Sequence, residues 1–121
     1  MYRFVCTIMY IHSWANMRYE WDENKNRSNQ AKHGLSFQQA VHVFDGGSFF
    51  THLDREVDGE VRWQTVGLVN GVLLILVAHT IREVGLEEVI RIISARRATP
   101  QEKLNYEAHV KENAGSDQSP G

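Results

Sequence analysis

Arg62, His79 and Arg91 combine two guanidiniums with an imidazole, candidates for holding a phosphate and moving a proton in metal-free phosphoryl chemistry. Such a reaction needs a base for the attacking hydroxyl, an acid for the leaving oxygen and cations for the charge that develops on phosphate. Arg62 lies in the run from Val61 to Gly67, where alternation sends Arg62, Gln64 and Val66 to one face of a strand and Trp63 and Thr65 to the other. Its planar guanidinium can hold two phosphate oxygens at once. His79 follows the apolar run LLILVA and shares a face with Ile75 and Val77, so its ring is expected where the core gives way to solvent or a cleft. Histidine suits proton transfer near neutral pH, but the position equally fits a core-edge ring hydrogen-bonded for structure. Arg91 stands between Ile90 and Ile92, where an unpartnered buried guanidinium would be too costly. It must therefore pair with a buried acid or reach an open face as a second phosphate clamp.

Weaker candidates surround this set. Glu60 should share the face of Arg62, as base or as a partner that orients the guanidinium, or else stand as a solvated carboxylate. Lys32 and His33 end a helical segment, where the helix dipole favours cations with or without a catalytic role. Lys25 and Arg27 lie in the same helix and suit contacts to phosphate or to a protein partner. Arg96 and Arg97 cannot share one face in extended chain, so at most one can join a cleft while the other secures the following helix. His42, His52 and His109 are scattered and read as surface or structural residues.

The elements that must position these residues follow in order from Met17. MRYEW alternates as a short strand, Asp22 caps a helix over 23–33, and Gly34 ends it. Ser36 and Gln39 have capping-box spacing for a second helix, which the pair Gly46 and Gly47 should stop. Strands are expected over 48–53, 61–67, 72–80 and 88–95, with Asn70–Gly71 as a hairpin turn. Thr99, Pro100 and Glu102 open a last helix over 100–111. The order β-α-α-β-β-β-β-α describes an α+β domain over 17–111. Residues 112–121 are polar and glycine-containing and read as a disordered tail.

Composition bounds the function. With 121 residues and 42% hydrophobic content, one modest core is possible. A net charge of -2 provides no global field for a polyanion, so attraction must come from segregated cations. The single cysteine excludes an internal disulfide and fits a reducing, cytoplasmic compartment. Neither metal-ligand spacing nor a phosphate-loop pattern is present, so no metal and no cofactor are expected. Residues 1–16 lack the features of a signal peptide or membrane anchor, and a start at Met17 would leave them out as an extension.

The blocks WDENKNRSNQAKHG, FDG, DREVDGEVRWQTVG, AHTIRE and EVIRIISARRATPQEKLNYE resemble, in order and spacing, the BrnT family of type II toxins over residues 17–107. The resemblance implies a RelE-like fold: a strongly curved antiparallel sheet, helices on one side and the other side presented to RNA. It further implies a metal-independent endoribonuclease that cleaves mRNA, on or off the ribosome, and inhibits translation. A BrnA-like antitoxin would neutralise it in a heterotetramer of two toxins and two antitoxins, with operator DNA bound only through the antitoxin. The alternative is an inactive BrnT-like module that binds antitoxin and serves as a transcriptional co-repressor. The N-terminal extension and the acidic balance depart from the pattern.

Overall fold

The computed structural model describes residues 9–10, 17–45 and 48–118. Its elements are β1 (Met9–Tyr10), β2 (Met17–Trp21), α1 (Glu23–His33), α2 (Phe37–Ala40), a 3₁₀ segment (Val41–Asp45), β3 (Phe49–Val57), β4 (Glu60–Val69), β5 (Leu73–Val84), β6 (Glu87–Arg97) and α3 (Pro100–Gln118). The strands form one sheet in the order β1-β2-β6-β5-β4-β3. Strands β3 to β6 are an antiparallel meander, whereas β2 pairs in parallel with β6, so the sheet is mixed rather than wholly antiparallel. The parallel pair arises because α1 and α2 carry the chain from one side of the sheet to the other before the meander returns to β2.

Each expected strand of the meander is longer than the sequence suggests. DREVDGE, read as a connection, is mostly ladder: β3 and β4 are joined at Asp58 and Gly59, both with positive φ (53° and 82°). Asn70 and Gly71 make the same kind of turn, with φ of 56° and 71°. These are the left-handed pairs that match the twist of a tight hairpin. The arms extend charged residues past the core, which hydrophobic patterning alone does not register.

Two apolar clusters lie on opposite faces of the sheet. On the inner face, Phe37, Ala40, Val41 and Val43 meet Tyr19, Trp21, Ile75, Val77, Ile90, Ile92 and Ala95. On the outer face, Tyr106 and Val110 of α3 meet Phe50, Val66, Leu68, Leu74 and Leu76. The expected segregation of helices to one side is therefore corrected: α3 covers part of the face opposite α1 and α2. Alternation in β5 is the cause, since Leu74 and Leu76 give the outer face apolar surface of its own. Gly67 has no room for a side chain, because a Cβ there would stand 2.7 Å from Phe49 Cβ and 2.9 Å from Val43 Cγ2.

Helix α1 has almost no apolar surface, and its inward residues are Asn26 and Asn29. Asp22 caps its start by accepting from the amides of Asn24 and Lys25, and Gly34 closes it at φ 71°. Asn29 then docks it. Its amide donates to the carbonyls of Ala95 (2.8 Å) and Leu35 (2.9 Å), and its oxygen accepts from the Ala95 amide (3.1 Å). Because β2 pairs with β6 only as far as Ile92, Asn29 occupies the free edge beyond it. Helix α2 carries the expected capping box, with Ser36 Oγ accepting from the Gln39 amide at 3.0 Å and Gln39 Oε1 accepting from the Ser36 amide at 2.9 Å.

Helix α3 continues to Gln118, beyond the expected end at residue 111, and no proline interrupts the chain before Pro120. The expected tail is thus helical in backbone over 112–118. The stop at Gly46 and Gly47, most of the N-terminal extension and residues 119–121 lie outside the described residues. Among the described residues, no helix is long and apolar enough to cross a membrane.

Candidate RNA-binding face

Alternation and register determine which side chains share the outer face. Val66 lies there against α3, so Gln64 and Arg62 follow it along β4. In β5, His79 turns inward and Thr80 outward. Thr80 pairs with Arg91 of β6, and Arg91 pairs with Glu20 of β2. Arg62 and Arg91 consequently stand on the two strands that flank β5, on the same side as Thr80. Strand spacing puts their backbones about 10 Å apart.

Arg62 is one-quarter exposed and its Nε lies 3.7 Å from Glu60 Oε1, too far for a hydrogen bond. Among the described residues, that Nε and the hydroxyl of Thr80 are both buried without a hydrogen-bond partner. Unmet polar groups are costly inside a fold and are accounted for when a ligand satisfies them. Arg91 combines the two arrangements its sequence position allows: the side chain is partly exposed, and Nη1 lies 3.4 Å from Glu20 Oε2. The same carboxylate oxygen accepts from Arg82 Nη2 at 2.9 Å. Arg18, paired with Glu87 at 3.2 Å, extends this row of guanidiniums along β2.

Several expected site residues are elsewhere. His79 is fully buried on the inner face, its Nε2 2.7 Å from Thr65 Oγ1 and its Nδ1 3.3 Å from the Thr80 carbonyl. Phe44 packs edge-on against its ring at 5.3 Å. The expectation that His79 emerges at a cleft is corrected, because β5 runs on to Val84 and Phe44 of the 3₁₀ segment covers the ring in mid-strand. Burial lowers the pKa of this ring to about 4.

That shift makes stability depend on pH. The unfolded chain takes up a proton near the ordinary value of 6.5, the folded chain only near 4. Stability is therefore full above pH 6.5 and falls as the pH drops toward 4. We expect a loss of roughly 2 kcal/mol between pH 7 and pH 5, seen as a lower urea midpoint. His79→Gln should flatten the dependence, and equal midpoints for the parent at the two pH values would contradict it.

Lys25, Arg27, Lys32 and His33 all belong to α1, which docks on the inner-face side against the edge of β6. They are not brought together with Arg62 and Arg91. Arg27 donates to Asn24 Oδ1 at 2.8 Å within its own helix. Arg96 and Arg97 separate as alternation demands. Arg96 makes a two-point contact with Glu102 of α3, at 2.8 and 3.0 Å, which pulls the Glu102 carboxyl down to about 2. Arg97 is exposed and pairs in register with Ile75. Arg96 thus anchors the helix rather than facing an open site.

Sequence reasoning missed the rest of the outer face. Arg18 and Glu20 alternate with Tyr19 and Trp21 in MRYEW, a signal present but unused. Arg82 falls beyond the expected end of its strand. His52 and His109 both line a groove of about 670 Å³ between α3 and the outer face, with Phe50, Gln64, Val66, Leu76, Glu102 and Asn105.

An open sheet face carrying a row of guanidiniums, with unmet polar groups between them, has the makeup of a phosphate-binding surface. A family model described as the BrnT ribonuclease toxin of type II toxin-antitoxin systems matches residues 21–102. The chain belongs to that family. Among solved structures it is similar to the crystal structure of the Brucella abortus ribonuclease toxin BrnT, at 32% identity, covering 65% of this chain and 92% of that one, with a TM-score of 0.49. No curated protein matches the chain.

Proposed function

We propose that this ribonuclease toxin is a metal-independent endoribonuclease that cleaves mRNA at its outer sheet face and thereby inhibits translation. The observation that carries this reading is the placement of Arg62 and Arg91 on either side of Thr80, with Arg62 Nε and Thr80 Oγ1 both lacking partners among the described residues. A phosphodiester seated between the guanidiniums would satisfy these atoms and receive two-point contact from Arg62. Charge building on its oxygens during displacement would then be stabilised by fixed cations, and Glu60 would orient Arg62 from 3.7 Å. Glu20 holds Arg91 and Arg82 in place, so the side chains need little reorganisation when RNA arrives.

The partner is an antitoxin of the BrnA kind, in a complex of two toxins and two antitoxins that reaches operator DNA through the antitoxin. Neutralisation requires only that the antitoxin cover the outer face. The test is cleavage of total RNA in excess EDTA by purified protein, with and without the neighbouring antitoxin. Cleavage that survives EDTA and stops with antitoxin is expected. A well-folded protein inactive on free RNA and on ribosome-bound mRNA would overturn the reading in favour of a non-catalytic co-repressor.

A further inference from the structure

Burial of His79 removes the histidine expected beside Arg62 and Arg91, so the groups that move protons must be sought elsewhere on the outer face. We infer that His52 and His109, one from β3 and one from α3, are the general base and general acid of this site. This rests on the ribonuclease reading. Both imidazoles lie against one phenyl ring: Phe50 is 6.1 Å from His52 and 4.0 Å from His109, centroid to centroid. Both line the same groove with Gln64, which follows Arg62 by one outward position on β4. His52 pairs in register with Gln64, so it stands on the neighbouring strand, one outward position (about 7 Å) along from Arg62.

The hydrogen bonds distinguish the two roles. His52 Nε2 donates to Gln64 Oε1 at 3.0 Å, which leaves Nδ1 as the acceptor of the neutral ring. This nitrogen takes the proton from the 2′-hydroxyl. The 2′-oxygen then bonds to phosphorus, the bond from phosphorus to the 5′-oxygen breaks, and His109 protonates that oxygen. The products are a 2′,3′-cyclic phosphate and a free 5′-hydroxyl, with no redox partner or co-reactant required. The charged group that lines the groove with the pair is Glu102 of α3, which Arg96 of β6 holds. Glu102 is too weak a base to compete, because the two-point contact with Arg96 occupies its carboxylate and lowers its affinity for a proton.

The experiment measures kcat/KM against pH for the parent, His52→Ala and His109→Ala on an oligoribonucleotide, and on the same oligonucleotide with sulfur replacing the scissile 5′-oxygen. Each variant should lose about 10²–10⁴-fold on the oxygen substrate. Each should also flatten one limb of the pH profile. The sulfur leaving group needs no protonation, so it should restore His109→Ala and not His52→Ala. His109→Gln, which retains bulk against Phe50, should behave as His109→Ala. An active parent whose variants cut at the parental rate with unchanged pH profiles would overturn this assignment alone. A parent that cuts neither substrate would overturn the ribonuclease reading with it.

Discussion

Arg62→Ala is expected to cut RNA about 10²–10³-fold more slowly than the parent, the usual cost of removing a donor aimed at developing charge. The loss should fall mainly on kcat, because a fixed guanidinium acts most on the transition state. Arg62→Lys should recover only part of it, since an ammonium cannot match two oxygens with one planar fork. Folding should be unaffected: the nearest charged partner of Arg62 is an exposed carboxylate at 3.7 Å, an arrangement worth little to stability. Arg91→Ala should show a smaller loss, because Arg82 contacts the same Glu20 oxygen and leaves a cation in the neighbourhood. Single-turnover cleavage with urea unfolding on the same samples checks both points. Activity in Arg62→Ala within threefold of the parent would remove this residue from the site.

Asn29→Ala should lower the unfolding free energy by about 3 kcal/mol or more, since it leaves several backbone groups without partners. The amide and carbonyl of Ala95 and the carbonyl of Leu35 all depend on the Asn29 side chain. Helix α1 has no compensating apolar face, as only Asn26 and Asn29 are buried within it. Asn26 supplies the second attachment, accepting from the Phe37 amide at 2.8 Å and donating to Gln38 at 3.0 Å. Asn29→Asp should be worse still, placing a carboxylate opposite two carbonyls in a buried site. Urea denaturation measures the effect. A loss below 1 kcal/mol for Asn29→Ala would mean that α1 is held by something other than these bonds.

The caps, glycines and strand patterning of this sequence fix its element order well. Asp22, Ser36 with Gln39, and Asn70–Gly71 act over a few residues, so their effects are readable without tertiary knowledge. The helix placement was less legible. Leu74 and Leu76 could be recognised as strand residues, but only the return of α3 over them shows that the outer face is half covered. His79 illustrates the same limit: period-2 alternation correctly groups it with Ile75 and Val77, and that grouping already favours the core. What the strand alone cannot reveal is that Thr65 waits across the ladder as a hydrogen-bond partner.

The candidate site was legible in its cations and not in its geometry. Arg62 and Arg91 stand out as charges inside apolar strands. Lys32 and His33 stand out only through the resemblance, and they belong to α1, which asparagines dock against the edge of β6. His52 and His109 have no common signal in the sequence, because β3 and α3 meet only once the meander is folded. Their shared contact with Phe50 is a product of tertiary packing.

The central claim is that RNA is bound and cut on the outer face of the sheet. Its most direct test compares cleavage in excess EDTA by the parent, by the double variant Arg62→Ala/Arg91→Ala, and by the double variant Lys32→Ala/His33→Ala. We expect the arginine pair to abolish cleavage and the α1 pair to leave it near the parental rate. Cleavage that persists without the arginines and disappears without Lys32 and His33 would place the site at the end of α1 and contradict the account.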